Sequence, residues 1–291
     1  MNSNTPKRRD VKVSVAIPAS LVSDIPHLRE KTLRIGLIGR ALAIFRVDEI
    51  IIYPDIHDQN QKRDAALIKA ILSYMETPQY LRRRLFKIRP ELRYAGILPP
   101  LRTPHHPTRN REKDLKIGEC REGVVISSDE EGAYLDVGVE RPLFTPNAQL
   151  KANSRVTVRV TEKGRRLRGE LTNPDEFQVY WGYRVRVSRF PLGHIMRDQK
   201  YNLVIATSRR GDPITKVADK LLSLWRKSKR VLIAFGSPTR GLQEIIKQEG
   251  VKLEGLAHFI VNTVPNQGVE TVRTEEALYA TLAVLNVLVT D

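Results

Sequence analysis

Three short stretches of the 291-residue chain concentrate Gly, Ser, Thr, Asn and Pro in a way that suits a small polar ligand. They are Thr207-Ser208-Arg209-Arg210-Gly211-Asp212-Pro213, Gly236-Ser237-Pro238-Thr239-Arg240-Gly241 and Asn262-Thr263-Val264-Pro265-Asn266-Gln267-Gly268-Val269-Glu270-Thr271. Each follows an apolar run of strand type, and in open α/β sheets ligands bind beyond the carboxyl ends of the strands. Loops of this composition expose backbone N–H and C=O groups, which can read a base edge or a small polar molecule in a shared cleft. One such loop is an ordinary turn or helix cap. Three in consecutive units give a shared cleft the same weight as three plain turns. In the first, Asp212 and Pro213 predict an N-cap and N1 pair for the helix that follows.

Other chemistries are poorly served. Gly236 and Gly241 have the spacing of a phosphate loop, but Leu242-Gln243 stands where Lys-Ser/Thr is required. No Gly-x-Gly-x-x-Gly follows the first strand, so the dinucleotide fingerprint is missing. His105-His106 has no Cys or third His at zinc spacing, which predicts no metal. The other four histidines are scattered, and no Gly-x-Ser-x-Gly elbow is present. The single Cys120 excludes an internal disulfide and reads as a small barrel residue rather than a nucleophile.

The elements that must position these loops follow from periodicity. Residues 11–17 alternate and then turn apolar, as a first strand does. Helical spacing over 27–45, a short apolar strand at 50–53 and helices over 60–75 and 78–86 complete a β-α-β-α order. Gly36 and Gly39 cost helix propensity and predict close backbone packing. After residue 116 the pattern changes to short strands at 124–126, 133–137, 156–160 and 167–171, punctuated by Gly123, Gly132, Gly138 and Gly164, which suggests a small barrel of OB type. A returning strand is expected over 180–187. From residue 200 the alternation resumes: strand 202–206, helix 214–225, strand 231–235, helix 241–248, strand 257–262 and a final helix 274–289. That last helix is apolar nearly all round, which predicts burial in a core slot or an oligomer interface.

Charge separates the function classes. The chain carries 49 basic and 33 acidic residues, a formal net charge of +16. Residues 82–118 hold 11 basic and 3 acidic side chains, so half of the excess lies there, among five prolines. This composition predicts an extended or irregular arm that tracks phosphates. Within the barrel segment, acids cluster over 119–140 and bases over 155–168, so one barrel edge is expected to be acidic and another basic. A polyanion, foremost nucleic acid, is the expected partner. No apolar run has the length of a membrane helix and the first ten residues lack a leader's apolar core, so a cytoplasmic location without membrane contact is expected.

The third loop and the start of its helix, Asn262 to Ala277, resemble the C-terminal motif of the SPOUT class of RNA methyltransferases. More narrowly, the chain is similar to an archaeal and eukaryotic RNA methyltransferase family whose catalytic domain carries an inserted OB-like barrel. Gly39 to Ile50 resembles that family's first helix and second strand. Ala206 to Gly211 resembles its first ligand loop, although Glu is more usual at Arg209, and Phe235 to Leu242 fits in type. The resemblance covers most of the chain.

It implies a mostly parallel, trefoil-knotted α/β domain formed by residues 1–92 and 174–291, with 93–173 as the inserted barrel and its basic connector. It implies an S-adenosylmethionine-dependent RNA methyltransferase acting on rRNA or tRNA as a homodimer. An inactive RNA-binding or ribosome-assembly protein on the same fold is the alternative. The cofactor would be held by Thr207, Ser208, Gly236, Ser237, Gly241, Asn262, Thr263, Val264, Pro265, Gln267, Gly268, Thr271, Val272 and Thr274. Arg40 would assist at the acceptor. Arg82, Arg83, Arg84, Arg109, Arg111, Arg165, Arg166, Arg209 and Arg210 would contact RNA. On this reading Gly268→Val is expected to abolish cofactor binding.

Overall fold

The computed structural model describes residues 6–290. They cluster into two units. One gathers residues 9–73, 91–100 and 183–290; the other gathers 6–8, 74–90 and 101–182.

The first unit is built on a six-stranded sheet. Its strands are β1 (Lys12–Pro18), β2 (Glu49–Tyr53), β8 (Arg184–Val187), β9 (Leu203–Pro213), β10 (Arg230–Ala234) and β11 (Phe259–Asn262), in the order β11-β9-β10-β1-β2-β8. All five pairings are parallel. Strands buried on both faces read as continuous apolar runs, and Ile50, Ile51 and Ile52 of β2 are fully buried accordingly. The helices are α1 (Leu28–Ile44), α2 (Lys62–Glu76, whose last turn belongs to the other unit), α4 (Leu192–Met196), α5 (Ile214–Lys227), α6 (Leu242–Lys247) and α7 (Thr274–Val289). Gly36 has the close approach its place in a helix suggested. A Cβ there would lie 2.8 Å from Leu98 and 3.2 Å from Pro99.

The first loop departs from expectation. It is not a free turn: β9 runs on to Pro213 and pairs with β11 twice. Ile260 opposes Ala206 while Val261 opposes Asp212, so residues 207–211 bulge out between two anchored points. Gly211 makes the return possible, because a Cβ there would meet the Ile260 carbonyl oxygen at 2.7 Å. With Asp212 held in the strand, the N-cap of α5 is Pro213, without a side-chain bond.

The second unit contains a closed five-stranded barrel in the order β3-β4-β5-β7-β6. Its strands are β3 (Cys120–Ser128), β4 (Gly132–Asp136), β5 (Leu143–Pro146), β6 (Arg155–Glu162) and β7 (Arg168–Leu171), and α3 (Gln79–Leu85) belongs to the same unit. The pairings are antiparallel except β5 with β7. Val125, Leu135, Leu143, Val158 and Val160 fill the interior. The acidic and basic segments do not form separate edges, because β3 lies beside β6. Opposite charges therefore meet: Arg155 binds Glu122 at 2.6 Å, and from α3 Arg84 binds Asp136 at 2.5 Å.

A buried polar network ties Glu76 in the last turn of α2, residues 103–106 and the barrel strands together within this unit. Arg155 also binds both oxygens of Glu76, at 2.6 and 2.9 Å. His105 Nε2 lies 3.0 Å from the same carboxylate, and His106 Nε2 lies 2.6 Å from the Glu76 carbonyl. Burial alone raises the Glu76 pKa, but the His105 hydrogen bond and the Arg155 charge outweigh it and hold it at about 2. Burial, helped by the neighbouring His105, pushes His106 down to about 3. Both folded values lie below the ordinary ones, so the unfolded chain takes up protons first as the pH falls. Stability is expected to decline from about pH 6.5 as His106 is lost to protonation in the unfolded state. It falls further below about pH 4.5, through Glu76. Urea midpoints read from Trp181 fluorescence in a Trp225→Phe background should show this, and His106→Gln should remove the upper part of the decline.

Candidate functional site

Beyond the carboxyl ends of β9, β10 and β11 the three loops enclose a cavity of about 320 Å³. It is framed by the bulge of β9, by Phe235–Glu244 after β10, and by residues after β11 that lead into α7. Thr274, Ala277 and Thr281 line it from α7 at helical spacing.

Local hydrogen bonds fix each loop. Thr207 Oγ1 donates to the Ala234 carbonyl (3.0 Å), joining the first loop to the end of β10. In the second, the Ser237 amide donates to the Arg240 carbonyl (2.9 Å), and the Arg240 amide donates to Ser237 Oγ (3.0 Å). Tyr53 Oη, fully buried, donates to the Phe235 carbonyl at 2.6 Å. Burial, with Asp55 and Glu249 nearby, raises the Tyr53 pKa well above its ordinary value, so the phenol keeps the proton this bond needs. In the third loop the Val264 amide donates to Asn262 Oδ1 (2.9 Å), an Asx turn. Thr263 and Thr281 share a hydroxyl bond of 2.8 Å. Arg209 then straps the first loop to the third: its Nη1 donates to the Glu270 carbonyl (2.7 Å), and Asn262 Nδ2 donates to the Arg209 carbonyl (2.9 Å).

Most residues that the resemblance marked for cofactor binding converge here. Thr207, Ser208, Gly236, Ser237, Gly241, Asn262, Thr263, Val264, Gln267, Thr271, Val272 and Thr274 line the cavity; Pro265 and Gly268 do not. Nothing lies within 4 Å of where a Gly268 Cβ would stand, so the backbone is not closely approached at this position. Phe235, Leu242, Ala277 and Thr281 also line it, outside the set that the resemblance marked for cofactor binding. The helical spacing of Ala277 and Thr281 behind Thr274 is the signal that could have found those two.

The arginines divide by environment. Arg209 and Arg210 line the cavity. Arg40 does not: its Nη1 donates to the Pro100 carbonyl at 2.8 Å. Arg82 donates to the Thr77 and Met75 carbonyls and lies over Tyr74, and the exposed Arg84 pairs with Asp136, so both have partners within their unit. All three residues Arg82–Arg84 are in α3 rather than in extended chain. Arg83, Arg109, Arg111, Arg165 and Arg166 are exposed. Arg166 lies 4.7 Å above the Phe144 ring and donates to Tyr134 Oη (3.1 Å).

Chemically, the cavity offers hydroxyls, amides, backbone groups and two carboxylates, Glu244 and Glu270, with arginines at its rim. Among the described residues no cluster of His, Cys, Asp or Glu is arranged to hold a metal ion, and no helix is long and apolar enough to cross a membrane. Such a lining suits a polar nucleoside-sized ligand next to a phosphate-bearing one.

A family model described as "Putative RNA methyltransferase" matches residues 12–285. The chain is 34% identical over 286 residues to an uncharacterized protein of Haloarcula marismortui, covering 94% of this chain and 98% of that one. It is 32% identical over 310 residues to the 28S rRNA (uridine-N(3))-methyltransferase of Drosophila melanogaster, covering 94% and 61% respectively. The protein of the same name from Homo sapiens is 30% identical over 305 residues, covering 95% and 78%.

Proposed function

This chain belongs to that family of RNA methyltransferases, and from that premise we propose that it transfers a methyl group from S-adenosylmethionine to N3 of a uridine in ribosomal RNA. The observation that carries the reading is the cavity that three loops of one sheet edge share. Its lining fits the donor: uncharged hydroxyls and amides stand close to backbone groups, and no side chain caps the first turn of α6 beside it. When bound, S-adenosylmethionine supplies an electrophilic sulfonium methyl.

The chain's own work is then positional. Thr207, Ser237, Asn262 and Thr263 are fixed by their hydrogen bonds and hold the loops at a set spacing. Holding donor and acceptor in line removes much of the entropic barrier. Arg209 and Arg210 present positive charge at the rim for an RNA phosphate. A uridine N3 carries a proton that must leave, and Glu244 and Glu270 are the lining carboxylates able to accept it. Replacing each with Gln is expected to lower kcat in one variant by tenfold or more with donor affinity unchanged.

The reading includes a trefoil knot and a homodimer. The knot is carried by the resemblance of the third loop, Asn262 to Ala277, and the order β11-β9-β10-β1-β2-β8 is compatible with it. The dimer is supported by α1, where Leu33, Leu37 and Ile44 are 40–49% exposed on one stripe that also carries Arg40. Arg40, away from its own cavity, would then serve the cavity of a second copy. Mass mapping of rRNA from cells with and without the gene tests the function. Loss of one 3-methyluridine is expected. An unchanged modification map, or no donor binding at millimolar concentration, overturns it.

A further inference from the structure

At the far end of the sheet, the chain after β8 presents an aromatic side chain outward and holds it there. Phe190 is 54% exposed and stacks on the exposed His194, with ring centroids 4.2 Å apart and planes 21° from parallel. Single exposed apolar residues are common and need no explanation. This one is braced. The buried Ser188 hydroxyl donates to the Phe190 carbonyl (2.8 Å) and accepts from its amide (3.0 Å). Pro191 follows with φ −65°, and Leu192, Ile195 and Met196 anchor α4 in the core. The Gly193 amide is held by Glu249 at 3.0 Å. His194 and Arg197 are left on the open side of α4, and Arg189 precedes Phe190; both arginines are exposed, and among the described residues neither pairs with a carboxylate.

The surroundings point to a polyanion with flat groups. Residues 184–200 carry five basic side chains and one acid. Ser188 donates its amide to the Ile52 carbonyl, so Phe190 lies just past the carboxyl end of β8, the same sheet edge as the cavity. Three strand spacings separate β8 from β10, about 14 Å.

We propose that Phe190 and His194 form a stacking platform for an unpaired base of the RNA substrate, with Arg189 and Arg197 on its phosphates, a few nucleotides from the base in the cavity. Stacking on aromatic rings beside arginines is how single-stranded RNA is gripped without reading every base. The proposal rests on the RNA methyltransferase reading above, and the wild-type assay separates the two. Wild-type protein that neither binds S-adenosylmethionine nor methylates rRNA from cells lacking the gene removes the reading itself.

With an active wild type, Phe190→Ala is expected to raise KM for that rRNA about tenfold, the loss of one stacked base, with kcat and donor affinity unchanged. Phe190→Tyr should stay within twofold of wild type, whereas Phe190→Leu, apolar but not aromatic, should behave like Ala. His194→Ala, whose side chain lies outside the core, gives the same readout if Phe190 variants fold poorly. Arg189→Ala and Arg197→Ala should each reduce the salt dependence of RNA affinity, by about 0.7 in log–log slope. An unchanged KM in Phe190→Ala and His194→Ala, or full function in Phe190→Leu, overturns the platform. Loss of binding to a protein partner with RNA KM intact assigns the surface to protein docking instead, and overturns it too.

Discussion

Gly236→Val is expected to reduce S-adenosylmethionine affinity at least 100-fold, which corresponds to about 2.7 kcal/mol. The reason is local and steric. A Cβ at Gly236 would stand 2.9 Å from the Arg240 carbonyl oxygen, 3.3 Å from the Leu242 nitrogen and 3.4 Å from the Gly241 Cα. All three are backbone atoms, so no flexible side chain can swing aside. The same carbonyl already accepts from the Ser237 amide, so the loop is closed on itself and must open to admit the new group. Opening it displaces the wall between Phe235 and Glu244, which is the longest continuous stretch of the cavity's lining. The sheet beneath is untouched, because Ala234 ends β10 and pairs with Ala16 and Ala206. Calorimetry with the donor, beside a circular dichroism melt, separates the two effects. A variant that still binds within threefold of wild type places the donor elsewhere.

Arg155→Met is expected to destabilise the barrel unit by about 3–5 kcal/mol, the range for breaking a buried ion pair by removing one partner. Arg155 is bonded to both Glu76 and Glu122. Glu122 also accepts from Thr157 Oγ1 (2.8 Å) and Trp181 Nε1 (2.5 Å), so it cannot turn outward without losing both. Two carboxylates would be left buried with their cation gone, while methionine restores only the packing of the side-chain stem. Urea unfolding followed by Trp181 fluorescence in the Trp225→Phe background measures the loss. Adding Glu76→Gln to the variant should recover part of it, since one uncompensated charge is removed. No recovery would mean that the arginine acts by packing alone.

The alternation of strands and helices was legible because buried parallel strands must be apolar throughout, and Ile50-Ile51-Ile52 could be little else. The three ligand loops were legible for the opposite reason, as interruptions of that pattern by Gly, Ser, Thr, Asn and Pro. Three features escaped. β5 is four residues long, and Arg141-Pro142 before it and Pro146 at its end look like turn chemistry. The return of β9 to β11 depends on a five-residue bulge whose anchor, Asp212-Pro213, imitates a helix cap. The pairing of Arg155 with Glu76 joins residues far apart in sequence, and local charge counts treat both as surface. Charge density marked 82–118 as one extended basic arm, whereas Arg82–Arg84 lie in α3, residues 91–100 cluster with the sheet unit, and Arg82 and Arg84 bond to carbonyls and Asp136, because partners are set by tertiary structure.

The sheet order also governs how the chain can assemble during synthesis. β1 lies between β10 and β2, so Lys12 must wait for Arg230 before its second edge is paired. The barrel has no such delay: every strand it needs lies between Cys120 and Leu171. A ribosome therefore releases a closed barrel while the first two strands of the parallel sheet still expose an unpaired edge. Long-range parallel pairing of this kind is slow and leaves apolar edges open to association. The N-terminal strands are the part of the nascent chain with most need of a chaperone, whereas the barrel can close its own edges as soon as Leu171 is made.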